Sequence, residues 1–477
     1  MKVLLINPVI RENDVPRNIP HGIAIMAAVA REHKHQVELL DINALRLSRE
    51  EVVQRIERAD CDVVGIGGLI PVYGYVKWLA AIIKEHKADV PVLLGGSVGF
   101  SIPELILSRT DVDVVCHQEG EATFPELLKA LEQKQPLSNV KGIWYREDGE
   151  IRQTEPRPLI RNLDAVVPFP AWDLLPMEVY LSNPVVGIGR DIDFIASRGC
   201  PYHCTFCYQA FGRTFRPHSV DYVMTALRLL KAQYDIDFVS FQDDEFLASK
   251  KRFFEFCKAV RHSGLALKWS CTGRVNLVSR DILQAAKDAG CVSVNYGIES
   301  GSQRMLDTMK KGVTVEQAKN AIRLNREVGL RCPTSFIVGM PGETHETIEE
   351  TIEFCKDVKI PLRGVMFATP YPGTPLFEDA LAQGLIDPDR LEEFVLRLGD
   401  AVSFTINLTG TMSNEELIAA REYMIAEVDK YYEPPPIAER EAFLLALYGE
   451  ELYRKAKEQE LQPAFQSHRK LHGFNEA

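Results

Sequence analysis

Short, almost continuously apolar β-type runs recur along this chain, each followed by a longer amphipathic stretch, and no other feature restricts its fold as severely. Residues 2–7, 36–41, 62–67, 90–95 and 113–117 read as strands, with helices such as 23–32 and 75–85 between them. A strand that is apolar along its whole length is buried on both faces, and a helical crossover joins strands that run parallel. Residues 1–140 therefore predict a doubly wound, flavodoxin-like parallel sheet of five strands. Glycines stand at the carboxyl ends of its later strands, as Gly67-Gly68 and Gly95-Gly96-Ser97, and Glu119-Gly120-Glu121 follows the fifth strand. Ligands of such sheets lie outside the carboxyl ends, where glycine admits close approach of the backbone.

Residues 141–190 read as a hairpin (143–146 and 151–154, around Glu147-Asp148-Gly149-Glu150) and an extended connector. Pro156, Pro158, Pro168, Pro170, Pro176 and Pro184 deny that connector a helix or a central strand. The βα rhythm then returns for six units, with strands at 193–197, 238–242, 268–272, 293–297, 334–338 and 365–369. Residues 191–385 predict a partial or full parallel βα barrel with its chemistry at the carboxyl ends of the strands. From 386 to 477 the pattern is helical and charged, a C-terminal extension broken by Pro434-Pro435-Pro436.

Composition narrows the function. With 55 Lys+Arg against 67 Asp+Glu, the net charge of −12 disfavours binding to phosphate backbones, and no nucleic-acid partner is expected. The start Met1-Lys2-Val3-Leu4-Leu5 is a buried-strand pattern without a signal-peptide layout. The weakly charged stretch 63–81 is interrupted by glycines, Pro71 and Lys77, so no transmembrane segment is expected. Ten cysteines in 477 residues are too few for a disulfide scaffold, which points to a reducing, cytoplasmic compartment.

Three of those ten crowd together as Gly199-Cys200-Pro201-Tyr202-His203-Cys204-Thr205-Phe206-Cys207, directly after the first barrel strand. The C-x3-C-x2-C spacing lets one loop wrap three thiolates around a single centre with one position open, as an iron–sulfur cluster requires. Structural zinc would need a fourth ligand, and His203, adjacent to Cys204, points away from that sulfur in most loop conformations.

This loop resembles that of the radical S-adenosylmethionine (SAM) superfamily, in which an aromatic residue, here Phe206, precedes the third cysteine. The resemblance implies a 4Fe–4S cluster on Cys200, Cys204 and Cys207, with SAM chelating the open iron and reductive cleavage yielding a 5′-deoxyadenosyl radical. It extends to later strand ends. Gln242-Asp243-Asp244-Glu245 matches the acidic motif, so Asp244 or Glu245 would take the methionine ammonium, and Arg274 its carboxylate. In Tyr296-Gly297-Ile298-Glu299-Ser300-Gly301, Glu299 would bind ribose hydroxyls or the ammonium. Phe336-Ile337-Val338-Gly339-Met340-Pro341-Gly342-Glu343 would place Gly339 near the adenine.

The segments Ile19-Pro20-His21-Gly22-Ile23, Gly95-Gly96-Ser97 and Gln118-Glu119-Gly120-Glu121 resemble the cobalamin-binding domains fused to such enzymes, and imply a cobalamin site that includes Gly68, Gly95, Gly96, Ser97, Glu119 and Gly120. The Asp-x-His-x-x-Gly motif that supplies a cobalt ligand elsewhere is missing, so cobalamin without a histidine lower ligand is expected. The resemblance implies a class B radical SAM methyltransferase acting on an unactivated carbon of a small molecule or natural product, with flavodoxin or ferredoxin as reductant. An oxidative cyclase or ring-rearranging enzyme of the tetrapyrrole type, with cobalamin in a redox role or absent, is the alternative. A cobalamin sensor and an iron–sulfur scaffold are the non-enzymatic readings, and neither needs the strand-end carboxylates.

Overall fold

The computed structural model describes residues 1–11, 14–183 and 189–460. Pro184, the last proline of the connector, and residues 461–477 of the C-terminal extension lie outside them. The chain divides into two compact units. The first holds residues 1–180 with 371–373 and 386–398; the second holds 181–370, 374–385 and 399 onward.

In the first unit, β1 (Lys2–Asn7), β2 (Gln36–Asp41), β3 (Val63–Ile66), β4 (Val92–Leu94) and β5 (Val114–Cys116) are all parallel, in the order β2-β1-β3-β4-β5. Val63, Val64, Gly65 and Ile66 are all buried, as a central strand covered on both faces requires. The predicted hairpin belongs to this sheet rather than to a separate connector. β6 (Ile143–Glu147) pairs antiparallel with β5, and β7 (Glu150–Gln153) extends the edge, giving seven strands. Its two-residue turn, Asp148-Gly149, has φ of 53° and 82°, the paired positive values that match strand twist. The connector also packs on this unit. The Ile160 amide donates to Glu119 (2.7 Å), Ala171 N to Ala24 O (3.0 Å), and Tyr180 Oη to the buried Asp41 carboxylate (2.5 Å), which also accepts from Asn7 Nδ2 (2.8 Å).

In the second unit, β8 (Asp191–Phe194) is followed by two short strands, β9 (Ser197–Arg198) and β10 (Arg216–Pro217), which pair antiparallel with each other. Then β11 (Phe238–Phe241), β12 (Lys268–Gly273), β13 (Cys291–Glu299), β14 (Thr334–Val338) and β15 (Val365–Phe367) complete an open parallel sheet in the order β8-β11-β12-β13-β14-β15. The barrel is thus partial, with β8 and β15 as its edges. The first strand ends earlier than the sequence predicts, because Ala196 N and Ser197 Oγ turn to the carboxylate of Asp243 and the chain leaves the sheet. Beneath β11 and β12 an aromatic core of Phe241, Phe246, Phe253, Phe256 and Trp269 is fully buried, with Phe256 and Trp269 edge-on at 5.4 Å.

The stretch from residue 386 is shared between the units. Glu392 accepts hydrogen bonds from Tyr73 Oη (2.7 Å) and Lys77 Nζ (2.6 Å) of the first. Helix Asn414–Tyr431 opens on a Ser413/Glu416 capping box and buries Leu417, Ala420, Met424 and Val428 at helical spacing in the second. The last helix, Glu450–Glu460, is tied there through Lys455 and Asp237 (2.9 Å). No helix among the described residues is long and apolar enough to cross a membrane.

Candidate functional site

The cysteine loop begins where β9 and β10 clamp its two ends. Gly199 enters it at φ 81°, and a Cβ there would strike the carbonyl oxygen of Thr214, so only glycine fits. Cys200 N donates to Gly212 O (3.3 Å), Thr205 N to Met309 O (2.9 Å), and Leu376 N to Thr205 O (3.0 Å), which fixes the loop from three directions. Cys204 is buried, while Cys200 and Cys207 are half-buried; His203 is exposed beside the buried Cys204, as expected of a residue turned away from that sulfur. Burial raises the Cys200 thiol and pushes Cys207 up to about 12. Such thiols surrender their protons when a metal takes its place.

The acids after β11 divide their duties. Asp243 is buried, holds Ala196 and Ser197, and is pushed up to about 6 by desolvation. Asp244 is exposed, and its Oδ2 accepts from Gly199 N (3.2 Å) at the mouth of the cysteine loop. Glu245 is buried, accepts from Leu247 N (3.0 Å) and rises to about 7, again through desolvation. After β12, Arg274 lies over the Tyr202 ring (3.6 Å), donates from Nη1 to Cys204 Sγ (3.6 Å) and from Nε to Asn276 (3.3 Å), and leaves Nη2 buried without a partner.

At the end of β13 the pairing with β14 shifts register between Gly297 and Glu299, and Glu299 adopts φ 71°, a left-handed conformation costly for a side chain with a Cβ. Its carboxylate folds back over Gly297, where any Cβ would overlap Oε1, and pairs with Lys311 Nζ at 2.7 Å; both side chains are under 10% exposed. Lys311 also lies 5.8 Å from the Phe206 ring. After β14, Gly339 takes φ 96°, and Gly339 N and Met340 N both donate to the buried carboxylate of Glu343, which burial raises to about 7. An acid raised in the native state binds more protons there than when unfolded, so stability is greatest at low pH and falls as pH rises from about 4.5 to 7. Unfolding free energies of Glu343→Gln and the parent should therefore diverge across that window by up to about 3 kcal/mol, the amide variant losing this residue's share of the pH dependence. A parallel pair of curves would refute this assignment.

In the first unit the carboxyl edge carries Gly68, Gly95, Gly96 and Ser97. Gly96, exposed and at φ 81°, approaches Gly68 so closely that a Cβ would meet the Gly68 carbonyl oxygen, while Gly95 faces open space. Ser97 Oγ accepts from Ile70 N (3.2 Å). Gly96→Ala should destabilise this unit by at least about 1–2 kcal/mol, and Gly95→Ala by no more than about 1. Equal melting temperatures for the two variants would contradict the geometry. Glu119 and Gly120 do other work. Glu119 holds the connector through Ile160, and Gly120 lets helix Gly120–Glu132 settle against Met26 Sδ, 2.7 Å from where a Cβ would stand. His21 opens helix His21–Glu32, two residues earlier than the sequence pattern places its start.

The donor set fits an iron–sulfur cluster. Three thiols share one loop with no disulfide between them, the donor set that such a cluster takes. The buried, unpartnered Nη2 of Arg274 beside them fits an anionic group such as the SAM carboxylate. Sequence reasoning missed Lys311, Met309 and Tyr202. The pair Lys310-Lys311 reads as a solvated turn, and only the structure shows that one of the two lysines is buried.

Residues 194–355 match the family model of the radical SAM superfamily, and residues 10–128 that of the B12 binding domain. An uncharacterized methyltransferase of Pyrococcus horikoshii is 37% identical over 395 residues, covering 81% of this chain and 84% of that protein. The anaerobic magnesium-protoporphyrin IX monomethyl ester cyclase of Rubrivivax gelatinosus is 30% identical over 391 residues, 80% and 70% of the two chains. Among solved structures, the radical SAM methyltransferase TsrM from Kitasatospora setae, with cobalamin and a [4Fe-4S] cluster bound, superposes with TM-score 0.71 over 97% of this chain and 100% of that one, at 17% identity. The cobalamin-dependent SAM radical enzyme OxsB gives 0.66 over 82% of this chain, which spans 56% of OxsB, at 22% identity. These two likenesses show a shared fold. This chain belongs to the radical SAM superfamily, among the cobalamin-binding radical enzymes of class B.

Proposed function

We propose that this enzyme is a radical methyltransferase that moves a methyl group to an unactivated carbon of a small-molecule or natural-product substrate. The observation that carries the reading is the convergence at one strand edge of three unpaired cysteine thiols, a buried arginine with a vacant donor and a buried glutamate. When bound, the cluster supplies the electron that releases a 5′-deoxyadenosyl radical from SAM, and cobalamin supplies the methyl group.

The chain's own residues bind and orient. Cys200, Cys204 and Cys207 hold the cluster, with Phe206 shielding it. Arg274 takes the methionine carboxylate on Nη2. Asp244, exposed at the loop mouth, is better placed for the ammonium than Glu245, which is buried and engaged with Leu247 N. Glu299 takes ribose hydroxyls once released from Lys311, and the left-handed turn at Gly339 leaves backbone for the adenine. Gly68, Gly95, Gly96 and Ser97 would border the cobalamin, bound in this reading without a histidine ligand. Such an oxygen-sensitive enzyme works in a reducing cytoplasm with a flavodoxin or ferredoxin donor and no nucleic-acid partner.

The decisive experiment is anaerobic reconstitution followed by dithionite reduction with SAM. It should yield 5′-deoxyadenosine and retain cobalamin visible by its absorption. A fully loaded cluster that produces none would overturn the radical reading, and loss of cobalamin with radical formation intact would overturn the methyltransferase. A product one methylene heavier than its substrate separates methyl transfer from ring closure.

A further inference from the structure

We propose that Arg274 sets the reduction potential of the cluster and ties it to SAM binding, a role that rests on the cluster assigned above. The guanidinium is held by three contacts of different kinds. The face of Tyr202 stacks against it at 3.6 Å, Asn276 Oδ1 accepts from Nε at 3.3 Å, and Cys204 Sγ accepts from Nη1 at 3.6 Å. The residue is 7% exposed, so neither its charge nor its hydrogen bond to sulfur is diluted by water. A donor and a fixed positive charge on a ligand sulfur stabilise the more negative, reduced cluster, and hydrogen bonds to sulfur are among the main determinants of such potentials.

The third nitrogen is the informative one. Nη2 is buried without a partner, a costly state for a charged donor. A ligand anion would complete it. One rigid fork therefore faces the cluster sulfur with one arm and the SAM carboxylate with the other. The same side chain that selects the cofactor makes the cluster easier to reduce, and a compact lysine ammonium has no fork with which to do both. Arg274 is a positioning residue in this role, since it acts on the electron through Cys204.

The test uses the full-length, anaerobically reconstituted enzyme and an EPR-monitored redox titration, with SAM affinity measured separately by equilibrium dialysis. In Arg274→Gln the reduced-to-oxidised ratio at a fixed potential should fall about tenfold, which is about 59 mV for one electron, and SAM affinity should fall by a similar factor. Arg274→Lys should recover part of one property and not both. A cluster in Arg274→Gln with the parent's potential overturns the proposal, as does recovery of both properties by lysine. If Arg274→Gln assembles no cluster, Tyr202→Leu carries the same test, because it keeps the charge and frees the guanidinium from its orientation; an unchanged potential there is equally fatal. A parent enzyme that binds no iron and sulfide would instead overturn the cluster reading on which the proposal rests.

Discussion

Cys204→Ala is expected to lower bound iron and sulfide, and 5′-deoxyadenosine formation with them, by more than about a hundredfold, since even outer-shell changes at metal sites cost 10–100-fold. Cys200→Ala and Cys207→Ala should do the same. The loop that carries these residues is built by other groups: the β9–β10 pairing, the Gly199 turn and the backbone bonds of Cys200, Thr205 and Leu376 all survive truncation of a thiol. The three variants should therefore melt within about 1.5 kcal/mol of the apo parent, the scale of a small core truncation, and fail only as metal proteins. Cys61→Ala is the control. Cys61 is half-buried in the first unit, far along the chain from the loop, and its loss should leave the iron content and the radical assay unchanged. Cluster assembly by any one of the three loop variants at the parent's level would remove that residue from the ligand set.

Strand periodicity made both sheets legible in advance because a parallel strand buried on both faces carries its signal in every residue. The hairpin was harder. Ile143, Trp144 and Tyr145 read equally well as a free ribbon, and only the register Val114↔Tyr145 shows them completing the first sheet. The tail divided for a similar reason. Glu392 joins the first unit through Tyr73 and Lys77, more than three hundred positions earlier in the chain, and no local pattern encodes such a partner. At the site, the cysteines stood out in the sequence because three thiols within eight residues share one loop. The acids were legible only as a group. Asp243, Asp244 and Glu245 are consecutive in sequence, yet one caps the β8 exit, one faces the loop mouth and one is desolvated against Leu247. Glu343 shows the limit most clearly, since a carboxyl in a strand-end motif proves to be the internal brace of its own turn.

Lys311→Met is expected to destabilise the second unit by about 3–5 kcal/mol, the usual consequence of leaving one partner of a buried ion pair uncompensated. The pair itself is not a net source of stability. Glu299 sits at φ 71°, a backbone state that costs about 1–3 kcal/mol when held by a residue with a Cβ, and its carboxylate is desolvated over Gly297. Glu299→Gln/Lys311→Met should accordingly recover most of the loss, and a double-mutant cycle by denaturant unfolding of the apo protein should show a large coupling between the two positions. If Lys311→Met costs less than about 1 kcal/mol, water reaches the pair and the argument from burial fails. A strained glutamate held by a neighbouring lysine is an arrangement that packing alone would not retain. It becomes intelligible if the carboxylate is stored for exchange: SAM supplies hydroxyls and a cation of its own, so the Glu299 carboxylate is not left bare when it changes partners. Lys311→Met in the presence of saturating SAM should therefore be less destabilised than in its absence, by a margin exceeding the stabilisation that SAM confers on the parent. The same increment in both proteins would show that Glu299 keeps Lys311 throughout.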